Sequence, residues 1–229
     1  MSERYSRQLS LLGDNSPALL SKKTVMICGL GGVGGYVLEA LVRVGIGSFI
    51  LIDNDCFDQS NLNRQLLATT ANIGKKKTVI AKERVLLINP DAICVAADVF
   101  LDKNNVPELL QKYRPDYVAD AIDFVEAKVA LAKHCESLGI PLIASMGTGN
   151  KLDPTAFECT DIYKTSTCPL ARSMRKRLKD EGVSHLKVVY SKEPAKPSGQ
   201  VVNSVSFVPS TAGMIIAGEI IKDLCNIDS

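Results

Sequence analysis

TVMICGLGGVGGYVLEALVRVGIGSFILIDNDCFDQSNLNR, residues 24–64, is the stretch whose reading decides the fold. A short apolar run, 25–28, is followed by five glycines in seven positions: Gly29, Gly31, Gly32, Gly34 and Gly35. Val37, Leu38, Leu41 and Val42 then recur at helical spacing until Gly45 and Gly47. A second apolar run, 49–52, ends on Asp53. The pattern is strand, glycine turn, helix, strand, acid. Glycines let a backbone approach a phosphate at a helix N-terminus, and an acid in that place reaches a ribose hydroxyl. This predicts a nucleotide site without saying which nucleotide.

Outward from this unit, residues 1–23 read as an N-terminal arm or short helix, with Pro17 as a helix start. Residues 54–74 are polar and too long for an ordinary connection, which points to a functional loop. It ends in a glycine and three lysines, Lys75, Lys76 and Lys77, ahead of a helix that stops at Asn89-Pro90. Residues 92–99, 116–123 and 141–145 read as strands, with helices at 106–113 and 126–138 between them. Strict strand–helix alternation predicts an α/β fold, a Rossmann-like doubly wound and mostly parallel sheet. Gly29, Asp53, Asp123 and Ser145 all fall at carboxyl ends of strands, where such sheets bind ligands.

Beyond residue 150 the alternation breaks into a mixed extension. A strand is expected at 155–160, a basic helix at 169–181, a strand at 186–191 and a loop at 192–199. A last helix from about residue 210 carries Ala212, Gly213, Ala217 and Gly218, small residues suited to close packing on the sheet. The expected organisation is one domain: arm 1–23, nucleotide-binding core 24–150, substrate-side extension 151–229.

With 229 residues, 46% of them hydrophobic, the chain can bury a substantial core. Its 27 basic and 25 acidic residues leave a net charge of only +2, so any nucleic-acid footprint must be local. The polar start MSERYSRQ has no signal-peptide character, and no apolar run approaches the roughly 18–20 residues of a membrane span. Seven cysteines without a C-x-x-C pair argue against a disulfide framework and against zinc, and for a reducing cytoplasm.

A glycine turn with Asp53 alone fits a nicotinamide or flavin dehydrogenase. The next loop speaks against that, because Arg64, Lys77 and Arg7 supply cations that a dinucleotide pyrophosphate does not need. Arginine forks and lysine charges suit a triphosphate. Asp123 is placed to hold a magnesium ion that bridges phosphates; the plainer alternative is a helix N-cap. Arg172, Arg175, Lys176, Arg177 and Lys179 crowd one helix, a run that reads either as a solvated face or as a phosphate footprint. His134 and His185 carry no assigned role.

GLGGVGG, LIDNDCFDQSNLNRQ, GKKK and DAID, in this order, resemble the ThiF/MoeB/HesA superfamily of ubiquitin-activating-enzyme-like adenylating enzymes. The resemblance implies ATP and Mg2+ as cofactors and transfer of AMP to a substrate carboxylate. It implies that Gly29, Gly31, Gly32 and Gly34 cradle phosphates and Asp53 holds the ribose. Asn61, Arg64 and Lys77 would contact phosphates, and Asp123 the magnesium ion. RYSRQ matches an arm whose second arginine, Arg7, reaches the partner's ATP, which implies a homodimer with Arg7 acting in trans. In the second half, the DPT, TD-x-x-KT and PLA…R-x-RL segments resemble the bacterial tRNA threonylcarbamoyladenosine dehydratase branch. That branch implies a tRNA substrate carrying threonylcarbamoyladenosine, cysteine-desulfurase-related protein partners, and the basic helix with Lys187, Lys192 and Lys196 against tRNA phosphates. Families of this kind differ over a cysteine nucleophile; Cys168 lies in the corresponding loop, and its place beside Pro169 at a helix start reads either as a catalytic thiol or as incidental. The rival readings are activation of a ubiquitin-like sulfur carrier, against which the missing zinc cysteines count, an NAD-dependent oxidoreductase, and a non-catalytic nucleotide-binding scaffold.

Overall fold

A computed structural model describes residues 3–197 and 202–227. The arm holds a 3-10 turn at Glu3–Tyr5 and helices α1 (Leu9–Leu12) and α2 (Ser16–Leu20). There follow β1 (Thr24–Cys28), α3 (Gly34–Val44), β2 (Ser48–Ile52), α4 (Lys77–Ile88), β3 (Ile93–Ala97), α5 (Val106–Tyr113), β4 (Tyr117–Asp120), α6 (Val125–Leu138) and β5 (Leu142–Ser145). The extension adds β6 (Phe157–Asp161), α7 (Pro169–Asp180), β7 (Lys187–Ser191) and α8 (Phe207–Cys225). Ser198 and Gly199 of the expected 192–199 loop lie outside the described residues.

Among the described residues the strands form one seven-stranded sheet in the order β3-β2-β1-β4-β5-β7-β6. Every neighbouring pair is parallel except the edge pair β6–β7. The expected doubly wound sheet is therefore present, and the extension continues it through β7.

The apolar runs of the central strands follow from burial on both faces. On β1, Val25 and Ile27 pack into one core with α3, α4 and α8, while Met26 and Cys28 pack into a second with α5 and α6. A third cluster joins α6 and α7 over β5 and β7. Parallel register aligns Cys28 with Ile52 and with Asp120, and Ile52 with Ala97, so the strands end in one row. The loops that leave this row form the crest of the sheet.

Two expectations are corrected. The strand read at 116–123 stops at Asp120, because Asp120 turns into the α6 side of the sheet and the chain then leaves as a tight turn. The last helix starts at Phe207, three residues before Ser210. Its close packing is real at Gly213, where a Cβ would stand 2.5 Å from Val33 O, and absent at Gly218, which has nothing within 4 Å. Among the described residues no helix is long and apolar enough to cross a membrane.

Candidate active site

A cavity of about 680 Å³ opens on the crest, and Gly29, Asp53, Asp123 and Ser145 all line it, as the strand ends predicted. The glycine turn forms its floor. Gly29 has φ +86°, and a Cβ there would stand 2.8 Å from Ala121 O, so only glycine serves. Gly31 and Gly32 line the cavity ahead of the α3 N-terminus, where unpaired backbone N–H groups favour an anion. Gly34 is not in the lining. Its missing side chain serves the turn itself, since a Cβ would lie 1.8 Å from Gly29 O.

Asp53 is already tied to the backbone: one oxygen accepts Leu30 N–H at 2.7 Å and the other Asp55 N–H at 2.8 Å. The acid thus holds the glycine turn and the next loop together, with lone pairs left for ribose hydroxyls. The long polar loop has its own turn. Asp58 Oδ1 accepts Ser60 N–H, which holds its carboxyl below the usual range, and Asn61 Oδ1 accepts Asp58 N–H at 3.1 Å. Among the described residues the Asn61 amide nitrogen has only a long 3.4 Å contact to Ser60 Oγ, and Asn61 lines the cavity. Arg64 donates through one nitrogen to Ser60 O and Asn63 Oδ1 and lines the same wall.

The three lysines separate by role. Lys76 pairs with Asp98 at 3.0 Å outside the cavity. Lys77 is nearly buried, lines the cavity and pairs with Asp55 at 2.8 Å. It is also the first residue of α4. A cation at a helix N-terminus opposes the macrodipole, a local conflict of the kind that marks functional positions.

Asp123 is exposed in the cavity and its side chain has no hydrogen bond or ion pair among the described residues. It is not the N-cap of α6, which is Phe124, so the plainer alternative does not hold. One carboxylate beside a phosphate site fits Mg2+, which binds one or two carboxylates together with substrate phosphates and waters. Among the described residues no cluster of three His, Cys, Asp or Glu side chains could hold a metal alone. An ion at Asp123 would thus depend on ligands from the nucleotide.

Arg7 is exposed on the arm and does not line this cavity. The arm is fixed at the far end of α3: Gln8 Nε2 donates to Val44 O, and Tyr5 covers Gly45, where a Cβ would meet its ring at 2.9 Å. The 11 residues of α3 separate that end from the glycine turn by roughly 16 Å. Arg7 therefore does not serve the cavity of its own chain.

Three lining features were not read from sequence. Gln65 is buried and lines the cavity, and its Oε1 has no hydrogen-bond partner among the described residues. Its position directly after Arg64 was the available signal. Phe100 and Phe124 stand with ring centroids 5.4 Å apart at the mouth. Val202, Ser204 and Pro209 close the remaining side. Asn63 Nδ2 donates to Ser204 O at 3.0 Å, Asn150 N–H to Asn203 O at 2.7 Å, and Pro209 packs 3.3 Å from where a Gly32 Cβ would be.

Cys168 is buried at the N-cap of α7 among apolar side chains and does not line the cavity. Burial pushes the Cys28 thiol up and the Cys159 thiol up to about 11, so neither is a ready thiolate. Several cations of the expected RNA footprint are already used. Arg175 bonds Thr165 O and its hydroxyl, Lys187 pairs with Glu219 and Asp223 at 2.8 and 2.9 Å, and Lys192 pairs with Glu158. Arg172, Lys176, Arg177 and Lys179 stay exposed on α7, and among the described residues no carboxylate pairs with them.

Against known proteins, the sequence model of the ThiF family matches residues 5–229. The tRNA threonylcarbamoyladenosine dehydratase of Bacillus subtilis is 36% identical over 243 residues, which cover 98% of this chain and 95% of that protein. The protein of the same name from Escherichia coli is 37% identical over 179 residues, 78% of this chain and 66% of that one. A crystal structure of the E. coli enzyme in complex with ATP superposes with a TM-score of 0.93 at 33% identity, covering 98% of this chain and 94% of that one.

Proposed function

Because the chain belongs to the ThiF family, we propose that it is an ATP-dependent tRNA threonylcarbamoyladenosine dehydratase. The observation that carries this is the likeness to the dehydratases over nearly the full length of both chains, including the extension that distinguishes the branches of the family. The cavity agrees with it by gathering Asp53, Asn61, Arg64, Lys77 and Asp123 around one floor of glycines.

The threonyl carboxylate attacks the α-phosphorus of ATP in line and pyrophosphate leaves. A nucleophile of the same modified base then attacks the acyl carbon, loses its proton and expels AMP. One carboxylate oxygen departs in AMP, so the nucleoside loses one water overall. Gly31 and Gly32 present the α3 N-terminus to phosphate, and Asp53 orients the ribose. Asn61, Arg64 and Lys77 hold the phosphates and offset charge as pyrophosphate departs. Mg2+, when bound at Asp123, supplies charge neutralisation at the phosphate oxygens. No protein thioester is needed, consistent with the buried Cys168.

Among the described residues the lining holds four carboxylates (Asp53, Asp55, Asp58, Asp123) against two cations, Arg64 and Lys77. Such a cavity is too acidic for a triphosphate unless further positive charge arrives. Mg2+ at Asp123 and Arg7 from a second copy would provide it, which supports a homodimer completed in trans. On the branch resemblance we also assign cysteine-desulfurase-related proteins as partners, and a cytoplasmic location beside the tRNA substrate.

Purified protein given ATP and tRNA with the open modified adenosine is expected to yield a nucleoside lighter by one water. Mass spectrometry reads this directly, and an unchanged mass with intact ATP removes the assignment. The exposed face of α7 is proposed as the tRNA contact, through Arg172, Lys176, Arg177 and Lys179, because Leu170 at its start lines the cavity. Arg172→Glu with Lys176→Glu should weaken tRNA binding at least about tenfold and flatten its salt dependence by about two units of slope, with ATP affinity unchanged. Equal tRNA affinity at all salt concentrations would leave α7 a solvated face.

A further inference from the structure

Among the described residues, Asp120 and Lys128 form the ion pair in which both side chains are completely buried, at 2.9 Å. Asp120 ends β4, and Lys128 is the fourth residue of α6. A helical side chain points back toward its own N-terminus, so the ammonium arrives under the crest. There it meets Asp120 Oδ2, Ser145 O at 2.9 Å and Ile122 O at 3.2 Å. The two carbonyls accept hydrogen bonds from the ammonium, while buried Asp120 Oδ2, which has no hydrogen bond among the described residues, is held to it as an ion pair. Asp120 Oδ1 in turn accepts Ile122 N–H at 3.2 Å. Ala121 N–H bonds Cys28 O at 2.8 Å, and the glycine turn rests on Ala121 O. Through one cation, the loops after β4 and β5 and the floor of the cavity share a single support.

A pair of this kind has no need to exist for stability. Desolvating two charges offsets most of their attraction, and well-packed apolar side chains of similar volume often serve as well. Cys28 and Cys135, members of an apolar core cluster with Val118, Ala127 and Leu131, lie close enough to feel the Asp120 charge. Burial pushes the Asp120 carboxyl up, and Lys128 acts against that shift. We propose that Lys128, compensated by Asp120, is a positioning residue that locks residues 121–124 against residues 145–149 and so sets where Asp123 stands in the cavity. The inference rests on the adenylating reading for its kinetic consequence, and on geometry alone for its effect on the loops.

The test uses the full chain with two variants. Asp120→Asn with Lys128→Met keeps an acceptor for Ile122 N–H and fills the lysine stem, so folding should survive with little change in melting temperature. Amide hydrogen exchange at 121–124 and 146–149, measured without nucleotide, should accelerate at least about tenfold. The ATP-dependent reaction should lose about tenfold or more in kcat while KM for ATP moves less than about threefold. Should the double variant fail to fold, Lys128→Arg keeps the charge compensated, but its planar fork cannot reach all three oxygens. It should show faster exchange at 121–124 and reduced kcat at unchanged melting temperature. Wild-type exchange and wild-type kcat in whichever variant folds overturns the proposal. An inactive wild type would sink the dehydratase reading instead, and the exchange comparison would still decide the role of the pair.

Discussion

Arg64→Ala is expected to remove ATP consumption in the presence of modified tRNA, by at least about 10²-fold in kcat, or about 3 kcal/mol of transition-state stabilisation. Among the described residues two cations line the cavity, and Arg64 is the one free of an acidic partner there, since Lys77 already pairs with Asp55. Among the described residues Arg64 bonds only to Ser60 O and Asn63 Oδ1 in an exposed loop. Its loss should therefore change stability by less than about 1 kcal/mol. Pyrophosphate release and a melting curve on the same preparation separate the two effects. Full activity in a folded Arg64→Ala protein would place the phosphate site elsewhere.

Gly34→Ala is expected to reverse the usual sign of a helical glycine substitution. Alanine normally stabilises a helix by about 0.5–1 kcal/mol over glycine. Gly34 is the first residue of α3, but its Cβ would meet Gly29 O at 1.8 Å and Gly29 C at 2.9 Å. Backbone on backbone cannot yield by a rotamer change, so the turn must open. A loss of about 3 kcal/mol or more follows, a fall in melting temperature of roughly 6–12 °C, together with loss of nucleotide affinity. Gly218→Ala in α8 is the matched control: its Cβ meets nothing within 4 Å, and it should be neutral or stabilising. Thermal melts of the two variants, with and without ATP, give the comparison. Equal behaviour of the pair would mean that the glycine turn tolerates a side chain.

The glycine turn, the parallel strands and the crevice were legible because each rests on short-range patterning: apolar runs buried on both faces, helical spacing, and acids at strand ends. Gly29, Asp53, Asp123 and Ser145 line one cavity as their placement at those ends predicts, and Asn61, Arg64 and Lys77 reach it from the loop after β2 and the start of α4. The limits are equally physical. DAID offers two acids, and spacing cannot say that Asp120 turns into the core while Asp123 lines the cavity. Lys128 sits in an alanine-rich helix where a lysine ordinarily reads as a solvated charge; only the sheet register shows what lies beneath it. Lys187 and Lys192 look like part of a basic surface until α8 and β6 bring Glu219, Asp223 and Glu158 beside them. Small residues at Gly213 and Gly218 look alike in sequence, and only the packing of α8 on α3 tells them apart.

Residues 202–209 close one side of the cavity, far along the chain from the glycine turn they face. Synthesis runs from the N-terminus, so a growing chain displays the turn, Asp53, Arg64 and Lys77 well before that wall exists. Nucleotide held by the complete cavity stabilises only molecules in which both parts have met. ATP in the cell would then sort finished protein from half-made protein, favouring the one and leaving the other to proteolysis.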